Sequence, residues 1–573
     1  MKNREIAQIF YEMGEILEIK GDNPFKIRAY YKAAQNMESL TEDIERIVQE
    51  DRLNELPGIG VKLALKIKEY VTTGKLRAYE KLKKKVPSGL IKILSVPGVG
   101  PKTAKLLYEE LKIDSIEKLK KAAKEHKISQ LPHLKEKTEE NILRGIEIIK
   151  RGMERMPLGV ALPLANEIVG ALKKLPEVKE INPAGSLRRK KETIGDIDIL
   201  ITSTRPAKVM DVFTNLPCVS QVIAHGETKS SILTKEGIHV DVRVLNPRNY
   251  GAALQYFTGS KEHNIALRTL ALKKGLKISE YGIFNKRSGK RLAGEKEEDI
   301  YKILGLSYIE PELRENQGEI EAAKANRLPK LIEESDIRGD LHIHSNWSDG
   351  SASIEKIVEA ARKRGWEYVA ICDHSKSLKI AGGLSDKELK EQIKEIRKLN
   401  KRLKGFRVLA GIEVDILKDG TLDYSDELLR QLDFVVAAIH SGFKQSREQI
   451  TKRIVKACEN RWVDVIAHPT GRLLGERAPY EVDLDKVIKV AKHTGTFLEI
   501  NAYPKRLDLN DIHSRKAKEG GVKISIGTDA HTLDQLDYMT IALTAARRGW
   551  LEKKDVLNTL PVDRLLKKLK RNK

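Results

Sequence analysis

Between residues 339 and 529 one pattern recurs seven times: a short apolar run followed by a segment of helical periodicity. The runs fall at 339–344, 368–373, 407–414, 433–440, 463–468, 496–501 and 522–529. Strands alternating with helices imply a parallel sheet, and seven such units predict a closed or nearly closed (βα)7 barrel. In such folds chemistry collects at the carboxyl ends of the strands.

Those ends carry metal-ligand residues almost without exception. They are His342 and His344, Asp349 in the next loop, Asp373 with His374, then Glu413, His440, His468, and Asp529 with His531. Eight of the thirteen histidines follow Ser335, and six of the eight stand at these strand ends, while His493 and His513 fall on helical stretches. One histidine at a strand end is usually structural; a whole series of ligand types there is hard to explain without metals. His342 and His344 share one strand face by their two-residue spacing. Mixed imidazole and carboxylate donors suit Zn2+, Mn2+ or Fe2+, and not Mg2+ alone.

A second chemistry-bearing stretch lies upstream, PAGSLRRKKETIGDIDILI at 183–201. From Gly195 it alternates like a half-buried strand, so Asp196 and Asp198 project from one face. Side-by-side carboxylates repel unless a divalent cation sits between them, and hard oxygen ligands suit Mg2+. Asp241, in the alternating run HVDVRV, is placed to lie beside the pair in a sheet. Gly185 and Ser186 supply a tight turn and a hydroxyl, and Arg188 and Arg189 two guanidiniums, all suited to a triphosphate. An isolated D-x-D is as often a solvated strand edge; the ordered set is far less common by chance.

Near the start, LPGIG at 56–60 and VPGVG at 96–100 each precede a basic amphipathic helix. Each looks like a helix-hairpin-helix. Gly58, Gly60, Gly98 and Gly100 allow tight turns whose backbone N–H groups face a DNA phosphate, with Lys62, Lys102 and Thr103 beside them.

The GS…GDID…Asp241 arrangement resembles the nucleotidyltransferase site of family X DNA polymerases. The resemblance continues through YFTGS at 256–260, then Asn264 and Arg268. It implies two-metal nucleotidyl transfer with two Mg2+ ions, Asp196 and Asp198 bridging both and Asp241 holding the ion that activates the primer 3′-hydroxyl. Gly195, Arg243, Tyr256, Phe257, Gly259, Asn264 and Arg268 would serve the incoming nucleotide, the two aromatic residues selecting against a ribose 2′-hydroxyl. Relatives often carry a deoxyribose-phosphate lyase, whose Schiff-base lysine corresponds to Lys66, with Lys62, Lys68 and Tyr30 nearby. Ala78 departs from that pattern, since lyase-active relatives have a lysine there.

The C-terminal series resembles the polymerase and histidinol phosphatase (PHP) domain, a trinuclear phosphoesterase. By that resemblance His342, His344, Glu413 and Asp529 hold one ion, and Glu413 bridges to a second on His440 and His468. Asp349, His374 and His531 hold a third. With Mn2+ or Zn2+ at up to three sites, a 3′→5′ exonuclease is implied. Arg472, Lys505 and Arg506 are candidate guides for the strand's phosphates.

At 573 residues the chain exceeds one core. The parts expected are an N-terminal helical domain (1–85), a second hairpin subdomain (86–150), a palm with a small antiparallel sheet (151–248), a nucleotide-selecting subdomain (249–315), a linker with partial helix (316–335) and the PHP domain (336–573). Palm strands are expected at 180–184, 196–202 and 238–245. The 105 Lys and Arg against 82 acidic residues, a net +23, favour a polyanionic partner. Three scattered cysteines exclude a disulfide framework, and no apolar run approaches the ~20 residues of a membrane span. The expectation is a cytoplasmic, monomeric gap-filling repair polymerase taking gapped or primer-template DNA and deoxynucleoside triphosphates. The alternatives are a DNA-end scaffold with one idle catalytic half, or a PHP half acting on small phosphate esters.

Overall fold

The computed structural model describes residues 2–40, 44–56, 58–94, 96, 99–132, 134–136, 138–143, 146 and 155–572. The chain divides into two compact units. One comprises Met1–Met156, Ala165–Gly185 and Gly195–Gly305, the other Pro157–Leu164, Ser186–Ile194 and Leu306–Lys573.

The first unit begins with short helices around two cores. Phe10, Ile44 and Ile67 belong to one, and Ile16, Leu107 and Leu119 to the next. Pro24 opens the Pro24–Ser39 helix, where a missing N–H costs nothing, and the Asn23 side chain accepts from Phe25 N.

A five-stranded sheet follows, made of Val178–Pro183, Asp196–Ser203, His239–Val244, Lys229–Thr234 and Val219–His225 in that spatial order. Of the four pairings three are antiparallel, and one, Asp196–Ser203 with His239–Val244, is parallel. Ile197, Ile199, Ile201, Val240 and Val242 are buried, so one face of this pair is sealed in apolar packing, while the other carries Asp196, Asp198 and Asp241 at one end and Leu200, packed with Tyr250 and Leu254, at the other. The hairpin Val219–His225/Lys229–Thr234 was not anticipated, because Val219–His225 is mostly exposed and shows no burial alternation. Beyond the sheet lie helices Tyr250–Thr258 and Lys261–Lys273 and a three-stranded antiparallel sheet.

The second unit is a seven-stranded parallel barrel whose strands follow sequence order: Gly339–Ile343, Tyr368–Ile371, Arg407–Asp415, Phe434–Ala438, Val465–Ile466, Phe497–Asn501 and Ile524–Gly527. Asp529 N donates to His342 O at 2.9 Å and His344 N to Ala530 O at 2.9 Å, joining the last strand's exit to the first. Serines start the surrounding helices. Ser353, Ser385 and Ser446 each accept from a backbone N–H of the first turn, the latter two in reciprocal capping boxes with Glu388 and Gln449. At the amino-terminal starts of the strands, Tyr368, Phe434, Val465 and Phe497 pack with Leu565 and Leu569 from the C-terminal end. That apolar plug leaves the opposite mouth for polar chemistry. The stretch 316–335 carries the expected partial helix, Glu319–Lys324, and is packed: Ile332 joins the barrel's main core.

Candidate functional site

Two of the seven strands, Arg407–Asp415 and Phe497–Asn501, reach the residues they were expected to end on, while the other five stop short. His344, His374, His440, His468, Asp529 and His531 all lie in the turns just past them. These turns bring the nine predicted ligands together at the carboxyl mouth. Glu413 is at the centre. Its Oε2 lies 3.7 Å from His342 Nε2, 3.8 Å from His344 Nε2 and 2.8 Å from His374 Nδ1. Its Oε1 lies 3.4 Å from His440 Nε2 and 3.0 Å from His468 Nε2. Asp529 Oδ1 is 3.1 Å from His344 Nε2 and 3.9 Å from His342 Nε2. On the far side of His344, Asp349 Oδ1 stands 3.9 Å from its Nδ1 and 3.3 Å from His531 Nε2, and Asp349 Oδ2 is 3.6 Å from His374 Nε2.

Among the described residues, three groups of ligand atoms converge within 4.8 Å: His342, His344 and Asp529; His374, Glu413 and His440; and His344, Asp349, His374 and His531. His342 Nε2, His344 Nδ1, His374 Nδ1, Glu413 Oε2 and His468 Nδ1 are buried without a hydrogen-bond partner. A buried polar atom is normally paired. The His374 Nδ1–Glu413 Oε2 approach, close but lacking hydrogen-bond geometry, is what two ligands of a shared cation present. The donor set fits bound metal.

The electrostatics agree. Burial works against the charged form of His440, yet Glu413 and Asp415 raise it to about 10. Burial likewise opposes His531, which Asp349 and Asp529 raise to about 9. His342 is held well above the usual imidazole range, Glu499 and Glu413 overcoming burial. Burial would also raise Glu413, but the His440, His342 and His374 charges hold it well below the carboxylate range. His344 falls to about 4, through burial and then the His374 charge, so it is neutral, the form that binds metal. Without cations, protonated imidazoles balance the buried carboxylates.

Asp373 does not join this group. It accepts from Ser345 N at 2.8 Å, Ser345 Oγ at 2.6 Å, Ser348 Oγ at 2.5 Å and Gln392 Nε2 at 2.5 Å, and so fastens the turn that carries Asp349. Arg472 is also turned inward, to Glu192 and to the carbonyls of Arg506 and Leu507, and Lys505 pairs with Glu476. Both are committed to local structure. Arg506 alone of the three cations meets the cluster, its Nε 3.6 Å from Asp529 Oδ2.

In the five-stranded sheet, Asp198 pairs with Asp241 and Asp196 with His239 across the parallel ladder. Cross-strand partners share a face, and Asp196 stands two residues from Asp198, so three carboxylates occupy one face. Ser231 Oγ donates to Asp241 Oδ1 at 2.6 Å, and Arg243 Nη2 is 3.8 Å from Asp241 Oδ2. Gly185 adopts φ +59, the left-handed region that favours glycine, and a Cβ there would stand 3.2 Å from Asp198 Oδ2, a tight approach of the turn to the carboxylate. Gly195 lies near Arg155 Nη1, where a Cβ would come within 3.1 Å.

Five family models match the chain: helix-hairpin-helix domain (1–76), SAM-like helix-hairpin-helix tandem (90–147), DNA polymerase beta palm (155–242), DNA polymerase beta thumb (253–315) and PHP domain (340–503). The DNA polymerase/3′-5′ exonuclease PolX of Bacillus subtilis (strain 168) is 43% identical over the full length of both chains. The chain belongs to the PHP-bearing family X DNA polymerases. The barrel by itself is similar to proteins described as "probable phosphatase". One, from Thermoanaerobacter sp. (strain X514), is 31% identical over 38% of this chain and 89% of its own length. Another, from Acetivibrio thermocellus, is 31% identical over 34% of this chain and 78% of its own length.

The remaining family X positions fall as follows. Ser186 and Arg188 lie on the Gly185–Arg188 turn of helix, and Arg189 Nε donates to Glu315 at 3.0 Å. Tyr256 and Phe257 meet edge-on at 5.6 Å between centroids, with the Arg243 guanidinium 5.3 Å over the Phe257 ring. Gly259 caps their helix at φ +71. Asn264 Nδ2 donates to Tyr256 O at 2.8 Å, and Arg268 Nε to Asn264 O at 3.3 Å.

The two hairpins repeat one local geometry: Gly60 has φ −83, ψ 169 and Gly100 φ −84, ψ 170, each capping the following helix. A Cβ at either would meet nothing within 4 Å, so the open space faces outward. Gly58 needs its own freedom, at φ +72. Lys62 follows Gly60, and Lys102 and Thr103 occupy the first turn of Pro101–Leu111; Gly98 lies outside the described residues. Lys66 Nζ donates to Lys62 O at 3.2 Å, and burial followed by the Lys26 charge lowers its pKa. Tyr30 is a core residue, edge-on to Phe10 at 5.7 Å, and Lys68 is 3.5 Å from Asp51.

Two buried carboxylates of the barrel escaped the sequence reading. Asp415 accepts from His440 Nδ1 at 2.6 Å and Glu499 from His342 Nδ1 at 2.7 Å. Their signal was present, as an acidic residue within an otherwise apolar strand (GIEVD, FLEIN). Among the described residues no helix is long and apolar enough to cross a membrane.

Proposed function

We propose that the chain extends DNA primers at Asp196, Asp198 and Asp241 and removes nucleotides from 3′ ends at the barrel mouth. The observation that carries the first activity is the Asp198–Asp241 pairing beside Asp196. Transfer joins the primer 3′-oxygen to the α-phosphorus of a deoxynucleoside triphosphate and releases pyrophosphate. Two Mg2+ ions on the three carboxylates would lower the 3′-hydroxyl's pKa and offset the triphosphate charge. Ser231 orients Asp241 by its hydrogen bond. Gly185, Ser186, Arg188, Arg189 and Gly195 serve the triphosphate, and Arg243, Tyr256, Phe257, Gly259, Asn264 and Arg268 the sugar and base. Gly58, Gly60, Lys62, Gly98, Gly100, Lys102 and Thr103 hold the backbone of gapped or primer-template DNA, and Lys66 is the candidate lyase nucleophile.

At the barrel mouth, His342, His344, Glu413 and Asp529 would hold one ion, Glu413, His440 and His468 a second, and Asp349, His374 and His531 a third. Mn2+ or Zn2+ there would supply an activated water and clamp the phosphodiester oxygens. The orphaned ligand atoms support this reading. The parts divide as 1–85, 86–150, 151–248, 249–315, 316–335 and 336–573, in a cytoplasmic monomer acting in gap repair.

The test is a primer-template assay with and without deoxynucleoside triphosphates, in Mg2+ and then in Mn2+. Extension with nucleotides and shortening without them is the expected pair of results. Absence of extension in both metals would overturn the polymerase assignment. The likeness of the barrel to "probable phosphatase" proteins favours a second substrate class, small phosphate monoesters, which a parallel assay would detect.

A further inference from the structure

Glu499 lies in the interior of the Phe497–Asn501 strand and is almost fully buried. A buried carboxylate is costly unless its oxygens are satisfied, and these are. Oε1 is 2.7 Å from His342 Nδ1. Oε2 accepts from His468 N at 2.8 Å and from Asn501 Nδ2 at 3.2 Å. Asn501 Nδ2 also donates to Asp529 Oδ2 at 3.1 Å. Glu499 thus ties together the strand ends that carry His342 and His468, and Asn501 links it onward to Asp529. It is not one of the converging ligands, because both oxygens already face donors from the protein.

We propose that Glu499 is the positioning residue of the barrel centre. It holds the proton of His342 on Nδ1, which leaves the Nε2 lone pair directed to the space shared with Glu413 and Asp529, where that atom lies buried and unpaired. A carboxylate on the distal nitrogen of a ligating imidazole fixes its tautomer and ring orientation and raises its basicity. Glu499 is suited to this because all three of its partners are donors, and an ionised carboxylate is acceptor-only. A glutamine of the same shape would turn one N–H toward another donor. The absence of a side chain at Gly527 is part of the same arrangement: a Cβ there would lie 2.4 Å from His342 Cβ and 2.5 Å from Glu499 Oε1.

The inference rests on the barrel mouth being a metal centre, and the test separates the two. Full-length wild-type and Glu499→Gln proteins are stripped with a chelator, then titrated with Mn2+ by calorimetry and with Co2+ by visible absorption. Wild type is expected to bind ions at the barrel, and absence of binding there would overturn the metal-centre reading itself. Glu499→Gln is expected to bind at least one ion 10- to 100-fold more weakly, with an altered Co2+ spectrum. Its primer extension should be unchanged. Wild-type stoichiometry and affinity in Glu499→Gln would overturn the positioning role. Should Glu499→Gln fail to fold, Asn501→Ala removes one donor to the same carboxylate, and it is expected to weaken binding in the same direction by a smaller factor. Unchanged affinity in that variant would overturn the proposal equally.

Discussion

Asp198 stands directly across from Asp241 in the single parallel pairing of the five-stranded sheet. Removing one carboxylate without changing its shape tests the relationship. Asp241→Asn is expected to cut primer extension by roughly 10²-fold or more, as loss of a charge aligned to the reacting centre does. Degradation from the 3′ end should be unaffected. Equal loss of both activities in a protein with a wild-type melting curve would mean that the sites are not independent.

Glu413 approaches five imidazoles, so its loss should be felt across the barrel centre. Glu413→Gln is expected to lower exonuclease rate by about 10²-fold or more, while primer extension continues. Metal content per chain, measured after gel filtration, should fall with it. A fully metallated, nuclease-active Glu413→Gln protein would contradict a bridging role.

The barrel was legible because its period is long and regular, and its chemistry because histidines and acids interrupt apolar runs at predictable places. What escaped the sequence depends on register and side-chain direction. Asp373 and His374 are neighbours in the chain, yet one fastens a turn and the other joins the cluster. Glu499 looks like a solitary acid until the fold brings His342 to it from a distant strand. The Val219–His225 strand was missed because both its faces are largely exposed, which removes the alternation that marks a strand. The alternation along 195–201 and 239–244 put Asp196, Asp198 and Asp241 forward as a set; that Asp198 and Asp241 meet in parallel register was beyond any pattern along one strand.

The metal-free barrel should lose stability as pH rises. His440, raised to about 10, and His531, raised to about 9, keep their protons in the folded state, whereas an unfolded histidine loses its proton near ~6.5. Their contribution is full below that lower value, declines between the two, and is gone above the folded pKa. The melting temperature of chelator-treated protein is therefore expected to fall between about pH 6.5 and 10. Added Mn2+ should flatten the slope, because a cation replaces the protons and its uptake releases them. A flat or rising profile without metal would show that these histidines are not the counter-charges of Glu413 and Asp349.

Lys66 is half-buried, and that burial, followed by the Lys26 charge, depresses its pKa, a condition for an amine nucleophile. Borohydride trapping on an incised abasic substrate should give a covalent adduct with wild type and at least about tenfold less with Lys66→Ala. Robust trapping in the variant would exclude Lys66 as the sole nucleophile.

Gly60 and Gly100 have backbone angles open to any residue, and a Cβ at either meets no protein atom. Substitution there should leave folding intact while obstructing whatever approaches from outside. The Gly60→Val/Gly100→Val protein is expected to melt like wild type and to bind primer-template DNA several-fold more weakly. Binding measured across salt concentrations distinguishes a lost phosphate contact from a general defect, since each lost contact lowers the slope of log K against log salt by about 1. Affinity and slope both equal to wild type would remove the hairpins from the DNA interface. An altered melting curve would instead mean that the glycines serve the fold.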